Sequence, residues 1–171
     1  MTRLSTIHAD ITTLEVDAVV NAANSAMRGG GGVDGAIHAA GGPAVLADCI
    51  ARFPDGLPTG DAGWTTAGDL PARWIIHTVG PNRHAGQTDP ALLESCYRRS
   101  LEVADDLGAR EVAFQLVGAG VYGWSKAESV AAAVRAVRTT PTDVEHVILV
   151  GYDAAAQREI EAALAAAGEP S

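Results

Sequence analysis

The chain has 171 residues and a formal net charge of -9, and its length fits one domain with a single hydrophobic core. The acidic balance excludes general affinity for nucleic-acid backbone and for anionic membranes, because both attractions need a positive face. No segment approaches the roughly 18 to 20 apolar residues of a membrane span, and no basic-then-apolar leader opens the chain, so we expect a cytoplasmic protein.

Strand and helix patterns alternate along the first half of the chain. The β-branched run Asp17–Asn21 predicts a buried strand, and Asp34 to about Arg52 predicts a helix. Trp74–Val79 then predicts a second strand. It is followed by a helix pattern over Ala91–Leu107, with Gly108 placed to end that helix.

The second half of the chain continues this alternation. Its predicted elements are, in order, a strand at Glu111–Val117, a helix from Lys126 to about Val137, a strand at His146–Gly151 and a helix at Ala154–Ala167. Ser125 and Glu128 have the spacing of a capping box, and Gly168 suits the end of the last helix. Such alternation within one domain predicts a three-layer α/β fold with a mostly parallel sheet, which binds ligands beyond the carboxyl ends of its strands.

Two glycine-rich segments lie between a predicted strand and a predicted helix. The first contains the four consecutive glycines Gly29–Gly32, and the second runs over Gly118–Trp124. Each offers backbone N–H groups beside a helix N-terminus, a combination suited to a diphosphate. The same glycines also suit tight turns and close packing of a strand against a helix. Neither segment matches the G-x-x-x-x-G-K-[ST] motif of nucleoside triphosphatases.

Ordered motifs extend over nearly the whole chain. They are His8–Thr12, Val16–Asn24, Gly29–His38, Asp69–Ala72, Ile76–Pro81, Gly120–Gly123 and Tyr152–Asp153. Together they resemble the macrodomain family, in particular its MacroD type. The resemblance implies a single macrodomain over residues 1–171, with a three-layer α/β/α fold and a mixed, mostly parallel central sheet. We expect this domain to be a monomer.

The resemblance also implies ADP-ribose and ADP-ribosylated substrates as partners, with neither a metal nor a cofactor. Asp10 and Ile11 resemble the residues that hold adenine through a carboxylate and a backbone N–H, and Tyr152 resembles the aromatic residue packed against it. A turn aspartate at Asp10 and a core tyrosine at Tyr152 are the alternatives. The residues expected to wrap the diphosphate are Gly31, Gly32, Val33, Gly118, Ala119, Gly120, Val121 and Tyr122.

Asn24 and Asp34 resemble the residues that act at the distal ribose. The Asn24 amide can donate to and accept from ribose hydroxyls, and the Asp34 carboxylate can orient or deprotonate a water beside the anomeric carbon. Asp34 would alternatively only complement the helix dipole, an effect of about 0.3 to 1 kcal/mol. Asn21 is equally suited to bracing the loop.

Two histidines are candidates for a metal site. His38 lies one turn after Asp34, so both side chains share one face of the predicted helix. No third ligand is recognisable in the sequence, and the pattern therefore favours packing or hydrogen-bonding roles for His38 and for His77. The cysteines Cys49 and Cys96 are far apart and outside any C-x-x-C motif, which predicts buried, reduced thiols.

Several positions depart from the family pattern. Gly118 and Ala119 stand where relatives usually have Ser-Thr, and Gln115 replaces a usual proline. The loss of two hydroxyl donors and the added freedom of Gly118 bear on affinity and on the range of leaving groups. Trp64 and Trp124 are candidates for shaping the cleft.

Two functions from different classes fit these residues. One is an ADP-ribosyl hydrolase that acts on ADP-ribosylated acidic side chains, O-acetyl-ADP-ribose or ADP-ribosylated nucleic acid. The other is a reader module that binds ADP-ribose without cleaving it. Asn24, Asp34 and the four glycines together favour the hydrolase, because a reader needs no carboxylate that directs water.

Overall fold

A computed structural model describes residues 1–170. Within them, five helices flank one sheet of six strands. The strands are Arg3–His8 (β1), Ala18–Ala23 (β2), Ala62–Thr66 (β3), Trp74–Val79 (β4), Glu111–Phe114 (β5) and His146–Gly151 (β6). The helices are Gly32–Gly41 (α1), Pro43–Arg52 (α2), Pro90–Leu107 (α3), Lys126–Thr139 (α4) and Ala154–Ala166 (α5).

The strand order in the sheet is β1-β6-β5-β2-β4-β3. Every neighbouring pair is parallel except β3 and β4, which are antiparallel, so the predicted mixed, mostly parallel sheet is confirmed. Strands β2 and β5 are parallel neighbours. The two glycine-rich segments that follow them therefore leave the sheet at the same edge, side by side.

Successive side chains of each strand face opposite layers of helices. Ala18 and Val20 on β2 belong to the core shared with α3, α4 and α5. Val19, between them, belongs to the core shared with α1 and α2. This period of two places helices on both faces of the sheet and confirms the three-layer α/β/α architecture.

The structure adds two strands to the predicted elements and corrects two others. Strands β1 and β3 were not predicted, because they lie at the sheet edges and carry polar residues and a glycine within short apolar patterns. The predicted helix from Asp34 to about Arg52 is two helices, separated at Gly42, whose φ is 82°. The strand predicted at Glu111–Val117 ends at Phe114.

Local signals at other places agree with the structure. The capping box at Ser125 and Glu128 is formed, with both of its side chain to backbone hydrogen bonds present. Cys49 and Cys96 are free and buried, as predicted. Burial raises the pKa of each thiol to about 11, which keeps both protonated at neutral pH. Within residues 1–170, none of the helices has the length and apolar character that crossing a membrane requires.

Candidate functional site

A cleft of about 810 Å³ opens at the carboxyl edge of the parallel strands, between the two glycine-rich segments. Its position agrees with the rule that open α/β sheets bind ligands beyond the carboxyl ends of their strands. The structure brings all residues that the sequence assigned to binding or catalysis to this one cleft. They are Asp10, Ile11, Asn24, Gly31, Gly32, Val33, Asp34, Gly118, Ala119, Gly120, Val121, Tyr122 and Tyr152.

The first glycine-rich segment ends at an uncapped helix. Gly31 is the N-cap residue of α1 and provides no side-chain hydrogen bond to the first turn. Among residues 1–170, no hydrogen bond engages the backbone N–H groups of Gly32, Val33 and Asp34. An uncapped N-terminus with free donors, lying at the edge of a cleft, is a site that favours an anion.

Asp34 is fixed by one carboxylate oxygen and keeps the other free. The residue is buried, and its Oδ1 accepts a hydrogen bond from Asn21 Nδ2 at 2.8 Å. His38 Nε2 lies 3.5 Å from the same oxygen. A Cβ atom at Gly30 would lie 3.0 Å from Asp34 Oδ2 and 3.4 Å from Asn24 Nδ2. Glycine at this position therefore leaves open the space between the carboxylate and the Asn24 amide.

Asn24 braces the turn that leads into the glycines. Its Nδ2 donates to the Gly29 carbonyl at 3.0 Å, and its Oδ1 accepts from the Met27 N–H at 3.2 Å. A side-chain amide has two hydrogens and two acceptor lone pairs, so one of each remains for a ligand. The turn thus holds the amide in place beside Asp34 at the cleft wall.

The part of the cleft beside the ends of β1 and β6 combines a carboxylate with an exposed aromatic ring. Asp10 Oδ1 accepts hydrogen bonds from the Thr12 hydroxyl at 2.7 Å and from the Thr12 N–H at 2.9 Å. These two bonds lower the pKa of Asp10 and keep it ionised. Asp10 therefore caps a turn, its alternative interpretation, and also lines the cleft. Tyr152 is 65% exposed, which excludes the alternative of a core tyrosine.

The second glycine-rich segment lines the cleft mainly with its backbone. Gly118, Gly120 and Gly123 have φ angles of 75°, 88° and 88°, in the region that favours glycine. Their spacing is G-x-G-x-x-G, a motif that the sequence reasoning had wrongly excluded; it lies between β5 and α4, the context of a phosphate-binding loop. The N–H groups of Val121 and Tyr122 have no hydrogen-bond partner within residues 1–170.

Gly118 is required by the residue packed beneath it. A Cβ atom at Gly118 would lie 2.9 Å from Trp124 Cδ1 and 3.1 Å from Leu93 Cδ1. Trp124 is buried, and its indole Nε1 donates to the Pro81 carbonyl at 2.9 Å. Trp124 therefore supports the loop from below and is not part of the cleft lining. Trp64, on edge strand β3, is also absent from the lining, and the Arg52 guanidinium lies over its ring.

Two further polar residues of the cleft were not assigned roles from the sequence. Gln115 Oε1 accepts from the Ala22 N–H at 3.1 Å. This bond gives a partner to a backbone donor of β2 that lies beyond the end of its neighbour β5. Lys126, the only lysine in the sequence, also lines the cleft, where its Nζ lies 3.2 Å from Glu159 Oε2. Its place directly after a capping serine was the available signal, because residues in the first turn of α4 lie beside the preceding loop.

The fold brings a third potential metal ligand to the two histidines. Ligand atoms of His38, Cys49 and His77 all lie within 4.8 Å of one another. Both ring nitrogens of His77 are already engaged, with Asn21 Nδ2 at 3.1 Å from Nδ1 and Thr65 Oγ1 at 2.8 Å from Nε2. The high pKa of Cys49 also disfavours a thiolate. This geometry favours the hydrogen-bonding role predicted for the histidines.

A family model described as Macro domain matches residues 20–133, which is more than half of the chain. The chain belongs to the Macro domain family. The predicted family resemblance is thereby confirmed, and the macrodomain fold accounts for the sheet order and for the cleft.

Known proteins similar to this macrodomain include two bacterial relatives and a solved structure. The macrodomain is 55% identical over 157 residues to the "Macro domain-containing protein in sno 5'region" of Streptomyces nogalater, covering 90% of this chain and 87% of the relative. It is 47% identical over 153 residues to the "O-acetyl-ADP-ribose deacetylase" of Klebsiella pneumoniae (strain 342), covering 86% and 87% respectively. The Oceanobacillus iheyensis macrodomain with ADP superposes with a TM-score of 0.88 at 34% identity, covering 95% of this chain and 90% of that chain.

Proposed function

We propose that this macrodomain binds ADP-ribose in its cleft and hydrolyses the bond between ADP-ribose and an acyl group. O-acetyl-ADP-ribose and ADP-ribosylated acidic side chains are the proposed substrates, and ADP-ribosylated nucleic acid is a further one to test. The observation that carries the proposal is the Asp34 carboxylate, which is buried, fixed at one oxygen and open at the other beside Asn24.

Binding of the diphosphate is supported by the backbone donors on both sides of the cleft. The free N–H groups at the start of α1 and in the loop over Gly118–Tyr122 suit phosphate oxygens. Such local donors bind an anion although the protein carries a net charge of -9. Lys126 also lines the cleft, where its ammonium is paired with Glu159. The relatives named for O-acetyl-ADP-ribose deacetylase and the neighbour solved with ADP are consistent with this ligand.

Recognition of adenine is assigned to the end of the cleft that holds Asp10 and Tyr152. Among residues 1–170, the hydrogen bonds of Asp10 engage only Oδ1 of its side chain, so Oδ2 remains to accept from the exocyclic amine. Tyr152 offers an exposed ring as a stacking surface. With adenine at this end, the length of the cleft directs the distal ribose toward Asn24 and Asp34.

Hydrolysis needs a water placed against the anomeric carbon of that ribose. In the proposed mechanism, Asp34 Oδ2 orients this water or accepts its proton, while Asn21 holds Oδ1 and Asn24 holds a ribose hydroxyl. When the acyl group is esterified to the anomeric oxygen, attack of the water breaks the bond between the anomeric carbon and that oxygen. The acetate or side-chain carboxylate departs as an anion that needs no proton, and the proton of the water passes to Asp34. A single carboxylate with a positioned substrate is therefore sufficient protein chemistry for this reaction class.

The deciding experiment is Asp34→Asn. The new amide keeps the shape and still accepts from Asn21, but it loses the basic oxygen that faces the cleft. We expect turnover of O-acetyl-ADP-ribose to fall by roughly a hundredfold or more, while the Kd for ADP-ribose, measured by calorimetry, changes little.

Parent-like turnover in Asp34→Asn would remove Asp34 from the mechanism. The parent protein is assayed on all three substrate classes, with release followed by chromatography. If it binds ADP-ribose but releases nothing from an acetyl ester, a modified carboxylate or a modified nucleic acid, the reader module replaces the hydrolase as the function.

A further inference from the structure

We infer that His77 is a positioning residue for hydrolysis, acting through Asn21 to hold the Asp34 carboxylate in place. His77 touches neither the cleft nor the expected substrate, since it is absent from the cleft lining. The inference rests on the proposed function, in which Asp34 directs the attacking water. It concerns a row of buried polar residues, Thr65, His77, Asn21 and Asp34, which we call the polar row.

The fold places the polar row across three adjacent strands. Asn21 on β2 and His77 on β4 are direct partners in the parallel ladder. Thr65 on β3 lies two residues beyond Gly63, the antiparallel partner of His77, and therefore shares its face of the sheet. The helix α1, which carries Asp34, packs on β2 and contributes Ile37 to the core on this face. Asn21, His77 and Thr65 are each 0% or 1% exposed.

The hydrogen bonds of the polar row fix where each proton lies. Asp34 Oδ1 accepts only, so the group that approaches it at 2.8 Å must be the amide nitrogen of Asn21. The same Nδ2 lies 3.1 Å from His77 Nδ1, to which it donates its second hydrogen, so Nδ1 carries no proton. The neutral ring then has its proton on Nε2 and donates to Thr65 Oγ1 at 2.8 Å. Thr65 in turn donates to the Thr66 carbonyl at 3.0 Å.

His77 is neutral throughout the pH range in which proteins are commonly assayed. Burial, the larger cause, and the neighbouring His38 together lower its pKa to about 3, although the charge of Asp48 acts in the opposite direction. Cys49, the other titratable group facing the ring, stays protonated. A neutral imidazole has one donor and one acceptor nitrogen, and its contact with Thr65 decides which is which.

The consequence is a single allowed orientation for the Asn21 amide. With the proton on Nε2, the bare Nδ1 accepts from Nδ2 and would repel Oδ1, so the amide turns its nitrogen toward Asp34. With the proton on Nδ1, the ring would instead attract Oδ1 and turn that oxygen against the carboxylate. Asn21 Oδ1 has no partner within residues 1–170, although it is buried. An amide held with its acceptor unsatisfied is retained for its two donors.

Two substitutions of His77 separate this role from simple packing. In His77→Asn, the shorter amide places its oxygen near the position of Nδ1 and keeps the acceptor for Asn21. In His77→Gln, the longer amide reaches toward Thr65 in place of Nε2, and no acceptor remains at the position of Nδ1 for Asn21. We expect kcat to fall roughly tenfold or more in His77→Gln, as for loss of a hydrogen bond near a charge, and to stay within a few-fold of the parent in His77→Asn.

If His77 only fills space, the two variants should rank in the opposite order of activity. His77→Asn removes more volume and leaves the larger cavity, so it would be the less stable and the less active of the two. Melting temperature and the Kd for ADP-ribose report the fold and the cleft separately from kcat. The inference is overturned if His77→Gln keeps the parental kcat, or if His77→Asn is the slower variant while both bind ADP-ribose normally.

A measurement on the unsubstituted protein covers the case in which the variants do not fold. Nitrogen NMR of the His77 ring distinguishes the two neutral tautomers, and we expect the Nε2–H form with no change between pH 8 and pH 5. The Nδ1–H form or a titrating ring would overturn the inference. This result does not depend on turnover, so an inactive parent protein counts against the proposed function, whereas the wrong tautomer counts against the polar row.

Discussion

The two glycine-rich segments that form the cleft are held in different ways. The first leads into α1, which has no side-chain cap, and it carries a carboxylate that the buried Asn21 fixes at 2.8 Å. The second leads into α4, whose first turn is closed by the capping box of Ser125 and Glu128. It carries no carboxylate or histidine, and it offers the cleft the unpaired backbone N–H groups of Val121 and Tyr122.

The second segment is stabilised from outside. Arg83 donates its backbone N–H to the Tyr122 carbonyl at 2.9 Å, and its guanidinium lies 2.8 Å from Glu128 and 4.1 Å from the Trp124 ring. The contrast indicates a division of labour. Under the proposed function, the first segment supplies the reactive carboxylate and the second binds the diphosphate, so substitutions in each should affect different steps.

The largest expected effect on binding comes from Gly120→Glu in the second segment. A carboxylate there repels the diphosphate and fills the loop, so ADP-ribose affinity should fall by roughly a hundredfold or more. Asp34→Asn should do the reverse, with turnover lost and binding kept. Calorimetry with ADP-ribose measures the difference.

Gly108→Glu is the matched control. Gly108 also has a positive φ, 73°, with open space around it, but it ends α3 and does not line the cleft. Both variants therefore carry the same added charge and similar backbone strain. Equal loss of affinity in the two variants would contradict the assignment of the second segment to the diphosphate.

A smaller effect is expected when the hydroxyl usual in relatives is restored by Gly118→Ser. The new Cβ meets Trp124 and Leu93, and overpacking of this kind costs about 1–3 kcal/mol in the free energy of unfolding. Trp124→Leu opens the space, so the double variant should lose less stability than the sum of the single variants. Chemical denaturation measures the cycle.

Gly108→Ser combined with Trp124→Leu is the control cycle, because Gly108 has no neighbour within 4 Å of a new Cβ. The losses in the free energy of unfolding of its two single variants should add. If the Gly118 cycle is additive as well, Trp124 is not the reason for glycine at that position.

The smallest effect concerns the pH dependence of the Arg83–Glu128 pair beside the second segment. The hydrogen bond from Arg83, followed by that from the Ser125 N–H, lowers the pKa of Glu128 to about 2. Because the folded-state pKa is depressed, the stabilisation is complete above the unfolded pKa of about 4.3 and is lost as pH falls toward 2. Both side chains are about two-fifths exposed, so solvent screening limits the contribution of this ion pair to the free energy of unfolding to about 1 kcal/mol at most.

Glu128→Gln should therefore be less stable than the parent at pH 7, and the difference should shrink between pH 4 and pH 2. Denaturation at several pH values measures it, with Glu94→Gln as a control that breaks an ion pair with Arg135 away from the loop. ADP-ribose affinity should fall a few-fold in Glu128→Gln alone. A stability difference that stays constant across this range would contradict the pairing.

Much of the fold follows from local patterns that the sequence displays directly. Apolar runs predicted β2, β4, β5 and β6, and the spacing of Ser125 and Glu128 predicted the start of α4. These features depend on residues a few positions apart, whose periodicity and capping act within one turn or one strand. The same local logic identified both glycine-rich segments, and parallel neighbouring strands then had to bring them together.

Other features depend on contacts between distant parts of the chain, and only the tertiary structure decided them. Asn21 and His77 are 56 positions apart and meet because β2 and β4 are in register. Gly118 is explained by the packing of Trp124 and Leu93, and Lys126 reaches the cleft because α4 begins beside the loop. The sequence alone determined which side chains have ionisable or hydrogen-bonding groups, since that is a property of each residue type. Their hydrogen-bond partners depend on strand order and register, which no local pattern encodes.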